Sequence, residues 1–250
     1  MSVAGLLRLA VIAIAVGALE LLCRTGVIPS LTAIPPSAMV EGLLRILQSG
    51  KFTADIVTTL RNVAVAITAA MLAGIAFATV LQSLPAVRRI FDPLFAAYYA
   101  IPMYAFYPLL IVILGLGDLP QIAIGFLLAV VAVILNALNG LDRVPPVLLK
   151  TARVHRLGAV RTALKVRLPF AAPYIFTGFK LAVAYSFIGV IGAEFITSNR
   201  GIGYEIAFAY NNFDNRVMYP MILLVLVVVI TINMSLHHWE RRLLERRRRS

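Results

Sequence analysis

QIAIGFLLAVVAVILNALNGL, residues 121–141, runs for 21 positions without a charged side chain. A helix crossing the ~30 Å hydrocarbon core of a bilayer needs about 20 such residues, so this stretch reads as a membrane span. The whole chain points the same way. Of its 250 residues, 61% are hydrophobic and 14% charged, where a soluble domain carries about 25% charged residues. The mean hydropathy is +0.91. A water-facing fold cannot hide so much apolar surface, so the expected class is all-α and polytopic in a membrane.

Outward from 121–141, five further segments qualify as spans: 6–22, 59–81, 94–114, 173–195 and 218–236. Residues 1–250 then form a single transmembrane domain. The first segment has no small-x-small cleavage site and is interrupted by Glu20, so it reads as a retained span and not a signal peptide. With six spans both ends share one side. That side carries 16 Lys and Arg against five on the other, with Arg61 and Lys180 in or beside spans. The excess places both termini in the cytoplasm. It also accounts for the net charge of +12 without nucleic acid. The basic tail, 238–250, reads either as an anchor, with Trp239 at the interface and its arginines among anionic headgroups of the lipid bilayer, or as a contact to a soluble partner.

Between the fourth and fifth spans lies KTARVHRLGAVRTALKVRLP, residues 150–169, with six of the chain's 23 Lys and Arg and no Asp or Glu. Pro145 and Pro146 pre-set the first turn of a helix, where a missing N–H does no harm. Gly158 is a natural stop or hinge, and a second helical stretch runs on to Arg167. From the residues alone the loop 142–170 is either a plain topology-setting loop or a pair of short helices offered to a soluble partner. Two outer segments are also sizeable. In 24–57, Ser37 is placed as a helix cap, Glu41 in the first turn and Gly50 at the end. Apolar positions 39, 40, 43, 44 and 47 give a membrane-lying stripe. In TSNRGIGYEIAFAYNNFDNR, residues 197–216, Gly201 and Gly203 permit a tight turn before a short helix over 204–210.

No GxxxxGK[ST] occurs, so the chain has no phosphate-cradling loop and binds no cofactor of its own. A single Cys, Cys23, excludes disulfides and Cys-based metal sites. The three His lie outside span cores and acids are scarce within them, which weighs against a membrane-embedded lipid-modifying enzyme and leaves no catalytic or metal residues to name. A secondary transporter or channel is the alternative. It would need coupling-ion ligands in broken helices or an inverted repeat. Polar groups within spans are expensive and therefore suspect as lining of a solute path. The candidates are Tyr98, Tyr99 and Tyr104 about Pro102, Asn136 and Asn139 on one helix face, and Tyr185 and Ser186 in mid-span. Lys180 is expected to snorkel to the surface.

The chain resembles the permeases of binding-protein-dependent ABC importers of the nitrate/sulfonate/taurine type. Anchored on Leu168-Pro169, residues 150–169 align without a gap to that group's E-A-A-x3-G-x9-I-x-L-P docking signature, with Lys150 in the Glu place and Arg156 in the Gly place. The likeness extends over about 220 residues. It takes in ELLCRTGVIPSLTAIPPSAMVEGL, then RRIFDPL followed by Ile101-Pro102, Pro108-Leu109 with Gly115-Leu116-Gly117, PFAAPYIFTGFKLAVAYSFIGVIGAEF, and SNRGIGYEI. The resemblance implies a type I importer-like fold with a cytoplasmic coupling-helix loop, in the bacterial inner membrane. It implies two ATPase subunits carrying ATP and Mg, a second permease copy or a homologous permease, and an extracytoplasmic substrate-binding protein. The ATPase-docking residues would be Lys150, Thr151, Ala152, Arg153, His155, Arg156, Leu157 and Gly158. Glu194, near the outer end of the fifth span, is a candidate either to hold the neighbouring outer loop or to contact the binding protein, and Arg200 and Tyr204 are further candidates for that contact. The solute would be a sulfonate, nitrate, taurine or a small organic or heterocyclic compound.

Overall fold

Long charge-free runs leave the backbone no partner but itself in hydrocarbon, and helix closes every N–H and C=O locally. The computed structural model describes residues 3–249, with side chains described for 5–7 and 10–240. Its helices are α1 (Val3–Arg24), α2 (Pro36–Ser49), α3 (Thr53–Ser83), α4 (Pro85–Tyr98), α5 (Tyr107–Leu114), α6 (Asp118–Asp142), α7 (Pro146–Val154), α8 (Ala159–Thr162), α9 (Leu168–Ile196), α10 (Ile202–Asn211) and α11 (Asn215–Arg249). Among the described residues five stretches are long and apolar enough to cross a membrane: Gly5–Arg24, Thr53–Ser83, Asp118–Asp142, Ala159–Ile196 and Asn215–Glu240. The expected span 94–114 is different. It is a pair, α4 followed by Met103–Leu114, bent by 96°. Pro102 cannot donate to a helix and forces the break. The basic tail lies, beyond Glu240, outside the described side chains.

Two compact units make up the chain, one of residues 1–59 with 194–228, the other of residues 60–193 with 229–250. In the first unit, α2 starts on Pro36 at the N1 position and stops on Gly50, whose φ of 66° needs the left-handed conformation glycine gives freely. Ser37 does not cap this helix, as Pro35 takes that place. Glu41 likewise sits beyond the first turn. The Ser37 hydroxyl and backbone N–H instead donate to Glu20 of α1, at 2.7 and 3.0 Å. Leu43 and Ile46 of α2 join Phe52, Ile202, Ile206, Met221 and Leu224 in the unit's core. Val40, Leu44 and Leu47 remain about half exposed, which leaves an apolar face available to lipid.

In the second unit α6 is the central strut. Its buried residues include Ile124, Gly125, Ala129, Val133 and Ala137. A Cβ on Gly189 of α9 would lie 2.6 Å from Gly125 Cα, so these two helices meet backbone to backbone. Small residues permit that approach, and it replaces the hydrophobic driving force that lipid removes. Lys180 of α9 does not snorkel freely: its Nζ donates to both carboxylate oxygens of Glu240 on α11, at 2.9 and 2.8 Å. Because overpacking costs typically 1–3 kcal/mol, Gly189→Val should lower the thermal midpoint of the purified protein by several degrees. Gly17→Val, with nothing within 4 Å, should leave that midpoint in place.

Candidate functional site

The segment expected to dock a partner, residues 146–167, lies in the second unit. α7 begins at Pro146 as the proline pair demands and ends at Val154. Its stop is a Schellman closure. The Leu157 N–H reaches the Ala152 carbonyl at 3.0 Å, and the Arg156 N–H reaches the Arg153 carbonyl at 2.9 Å. That closure requires a left-handed residue at the Arg156 position, and Arg156 has φ of 51°. The position where the resembling permeases carry glycine is therefore the position where this backbone wants glycine. An L side chain there costs roughly 1–2 kcal/mol. Gly158 does not take over this role. Its φ of −65° and ψ of 166° suit any residue, and no neighbour lies within 4 Å of the site of a Cβ.

Beyond the turn there is no second free-standing helix. α8 passes through a π turn, Ala163–Arg167, directly into α9, and residues 159–196 form one unbroken 38-residue stretch. α7 rests against the π turn, which buries Ala152 to 3% exposure. Lys150, Thr151, Arg153, His155, Arg156 and Gly158 are exposed, and Leu157 is half-buried beneath them. Apolar side chains stand among the exposed cations, and on α7 the most exposed are Val147 at 68% and Val154 at 79%. Ala152 thus belongs to the seat of the helix, and its outward face is apolar patches ringed by positive charge.

The path candidates also lie in the second unit, at several depths. Tyr98 is half-buried and its hydroxyl donates to the Leu127 carbonyl at 2.8 Å. Tyr99 is 52% exposed, with its ring edge-on to Tyr98. The Tyr104 hydroxyl donates to the Ile188 carbonyl and lies over Gly192, where a Cβ would strike the phenol ring. Asn136 donates to the Ala132 carbonyl of its own helix at 2.8 Å, while Asn139 is exposed. Tyr185 is half-buried, and Ser186 is fully buried facing the Gly125 carbonyl at 3.4 Å. Tyr99 and Asn139 are exposed, whereas Tyr98, Tyr104 and Ser186 bond to carbonyls of neighbouring helices.

In the first unit Glu194 sits inside, at 1% exposure. The Thr59 hydroxyl lies 2.9 and 2.8 Å from its two carboxylate oxygens, and the Gly203 N–H donates to it at 3.0 Å. Thr59 Oγ1 in turn accepts from the Ile202 N–H at 2.8 Å, and Asp55 accepts from the Gly201 N–H at 2.8 Å. The first N–H groups of α10, orphaned by helix geometry, are thus satisfied by side chains from α3 and α9, and the carboxylate suits the positive helix end. Gly201 has φ of 104°, and a Cβ there would fall 2.4 Å from the Glu194 carboxyl carbon. Glu194 pins α10 and presents no surface to a partner. Arg200 is exposed and Tyr204 half-buried, its ring 6.0 Å from that of Phe208. On α10, burial and the nearby Asp55 raise the Glu205 carboxyl, partly offset by Lys51. Sequence reasoning missed Asp55 and Thr59: their pairing with 194–203 spans well over a hundred residues and leaves no local pattern.

Comparison with known proteins adds a family and a fold. Residues 66–250 match the model of the family described as binding-protein-dependent transport system inner membrane component. The nitrate import permease protein NrtB of Leptolyngbya laminosa is 32% identical over 179 residues, covering 72% of this chain and 64% of that protein. The chain therefore spans somewhat under two thirds of that relative. The taurine transport system permease protein TauC of Escherichia coli is 28% identical over 84% of this chain and 78% of its own. The bicarbonate transport system permease protein CmpB of Synechococcus elongatus is 31% identical over 62% and 56%. A chain of the MetNI methionine ABC transporter, in an inward-facing form, superposes with a TM-score of 0.65 at 18% identity, covering 76% of this chain and 95% of that one.

The turn at Arg156 makes a contrast that thermal unfolding can read. Arg156→Val, β-branched at positive φ, should lower the midpoint, Arg156→Gly should hold or raise it by about 1 kcal/mol equivalent, and Gly158→Ala should leave it unchanged. At the other unit, Thr59→Val leaves the Ile202 N–H and one face of Glu194 without a partner, a loss of about 1–3 kcal/mol. Limited proteolysis should then cut within 197–214 faster than in the parent protein.

Proposed function

Because the chain belongs to the family of binding-protein-dependent transport system inner membrane components, we propose that it is the permease subunit of an ATP-driven importer for a small oxyanion. The observation that carries this reading is the form of 146–196: an exposed helix, α7, closed by a hydrogen-bonded turn and packed against the π turn at the start of the continuous helical stretch 159–196. A partner that moves α7 moves the end of α9. The chain lacks a phosphate-cradling loop, so ATP hydrolysis belongs to two separate ATPase subunits, and this chain is a transport subunit and not an enzyme. Val147 and Val154 among Lys150, Arg153 and Arg156 suit an ATPase groove with an apolar floor and an acidic rim. Lys150 in place of the usual Glu fits such a rim.

The charge imbalance of 16 against five supports cytoplasmic termini and a cytoplasmic α7. A second permease copy or a homologous permease completes the path, and an extracytoplasmic binding protein delivers solute near Arg200 and Tyr204. Nitrate, bicarbonate and the sulfonate of taurine, handled by the relatives named above, share a small oxyanion head, and that head is the solute class assigned here. ATP-driven closure of the ATPases shifts the population between inward- and outward-open forms through the α7–α9 lever.

Cysteine placed at Val154 should crosslink to the co-purified ATPase, and cysteine at buried Ala152 should not. Crosslinks from other cytoplasmic loops with none from Val147 or Val154 would remove α7 from the interface.

A further inference from the structure

α3 carries two charged residues in 31, Asp55 and Arg61, and no ionisable residue follows Arg61 to its end. A guanidinium on such a helix is costly in lipid and signals water or a ligand. In the second unit Arg61 is held on two sides. Its guanidinium donates to Asp118, at the start of α6, and stands 3.4 Å from Asn62 Oδ1. Asn62 is fully buried, and its Nδ2 donates to the equally buried Gln121 Oε1 at 3.0 Å, which fixes which way the amide points. A chain of contacts, Gln121 to Asn62 to Arg61 to Asp118, therefore orients one cation. The Asp118 side chain is 16% exposed, yet the Arg61 side chain is 58% exposed. The Arg61 side chain is thus steered by Asp118 and Asn62 and still more than half exposed.

We propose that Arg61 is an oxyanion-recognition residue at the entrance of the solute path. The assignment rests on the oxyanion reading above, and on the charge pattern that puts this end of α3 and α6 outside. The planar fork of Arg pairs with two oxygens of a nitrate, bicarbonate or sulfonate head, which a point charge does less well. Asp118 sets the strength. A bare guanidinium at the mouth would trap its anion, whereas transport needs binding favourable enough to enter and weak enough to leave. The carboxylate competes with the solute for the same N–H groups and keeps the site weak. Asn62 and Gln121 are positioning residues: they hold the plane of the fork and touch no solute.

The test is uptake of labelled nitrate, bicarbonate and taurine by vesicles holding the complete complex with its ATPase and binding protein. Arg61→Gln should cut uptake at least tenfold while the ATPase still co-purifies. Arg61→Lys should raise KM with a smaller loss of maximal rate. Asp118→Asn should lower both KM and maximal rate, because the anion is now held. If Arg61→Gln fails to assemble, the opposite KM shifts of Arg61→Lys and Asp118→Asn still decide. Unchanged KM and rate in all variants would overturn the assignment and leave the oxyanion reading intact. A parent complex that takes up none of the three anions would overturn both.

Discussion

In hydrocarbon, water is not available to complete a polar group, and each charge set on a spanning helix must bring its partner with it. That single constraint organises both units. Lys180 is answered by Glu240, Arg61 by Asp118, and Arg24 by Glu20 together with Ser37. Glu194 is answered by a hydroxyl and a backbone N–H. The backbone obeys the same rule. α10 can start at Ile202 only because Thr59 and Glu194 take the amides that its first turn cannot pair.

The proposed lever has its clearest form in the α7 segment. It combines a mostly exposed helix, a stop made by backbone hydrogen bonds, and packing against the π turn that leads into α9. A stop of this kind transmits displacement better than a flexible hinge would. Its residue at positive φ is an arginine, so the chain tolerates a modest conformational cost to keep a cation there. That trade is intelligible if the cation faces an acidic partner.

Much of this was legible in the sequence because the features are local. Span placement follows from hydropathy windows, α7 from its proline start, α2 from its apolar stripe and closing Gly50, and the α10 turn from Gly201. Gly50 marked the end of α2 correctly, but Ser37 looked like its cap and proved to be a partner of Glu20, seventeen residues earlier. The third span was readable as apolar, and Pro102 marked where it would kink, but hydropathy carries no direction and the 96° angle is seen only in the structure. Gly158 looked like the hinge because glycine signals freedom wherever it stands. Only φ shows that Arg156 occupies the demanding position. The ion pairs and the Glu194 cluster join distant segments, so no periodicity could announce them. Of the path candidates, aromatic and amide side chains were found by type, while their depth depends on packing.

The lever itself can be tested by breaking it. Two glycines inserted after Thr162, in the turn that joins α8 to α9, should leave α7 on the ATPase but uncouple it from the span. In vesicles holding the complete complex, ATP hydrolysis should then persist while solute uptake falls to background. Uptake retained at the parental rate per ATP would contradict a rigid α7–α9 connection.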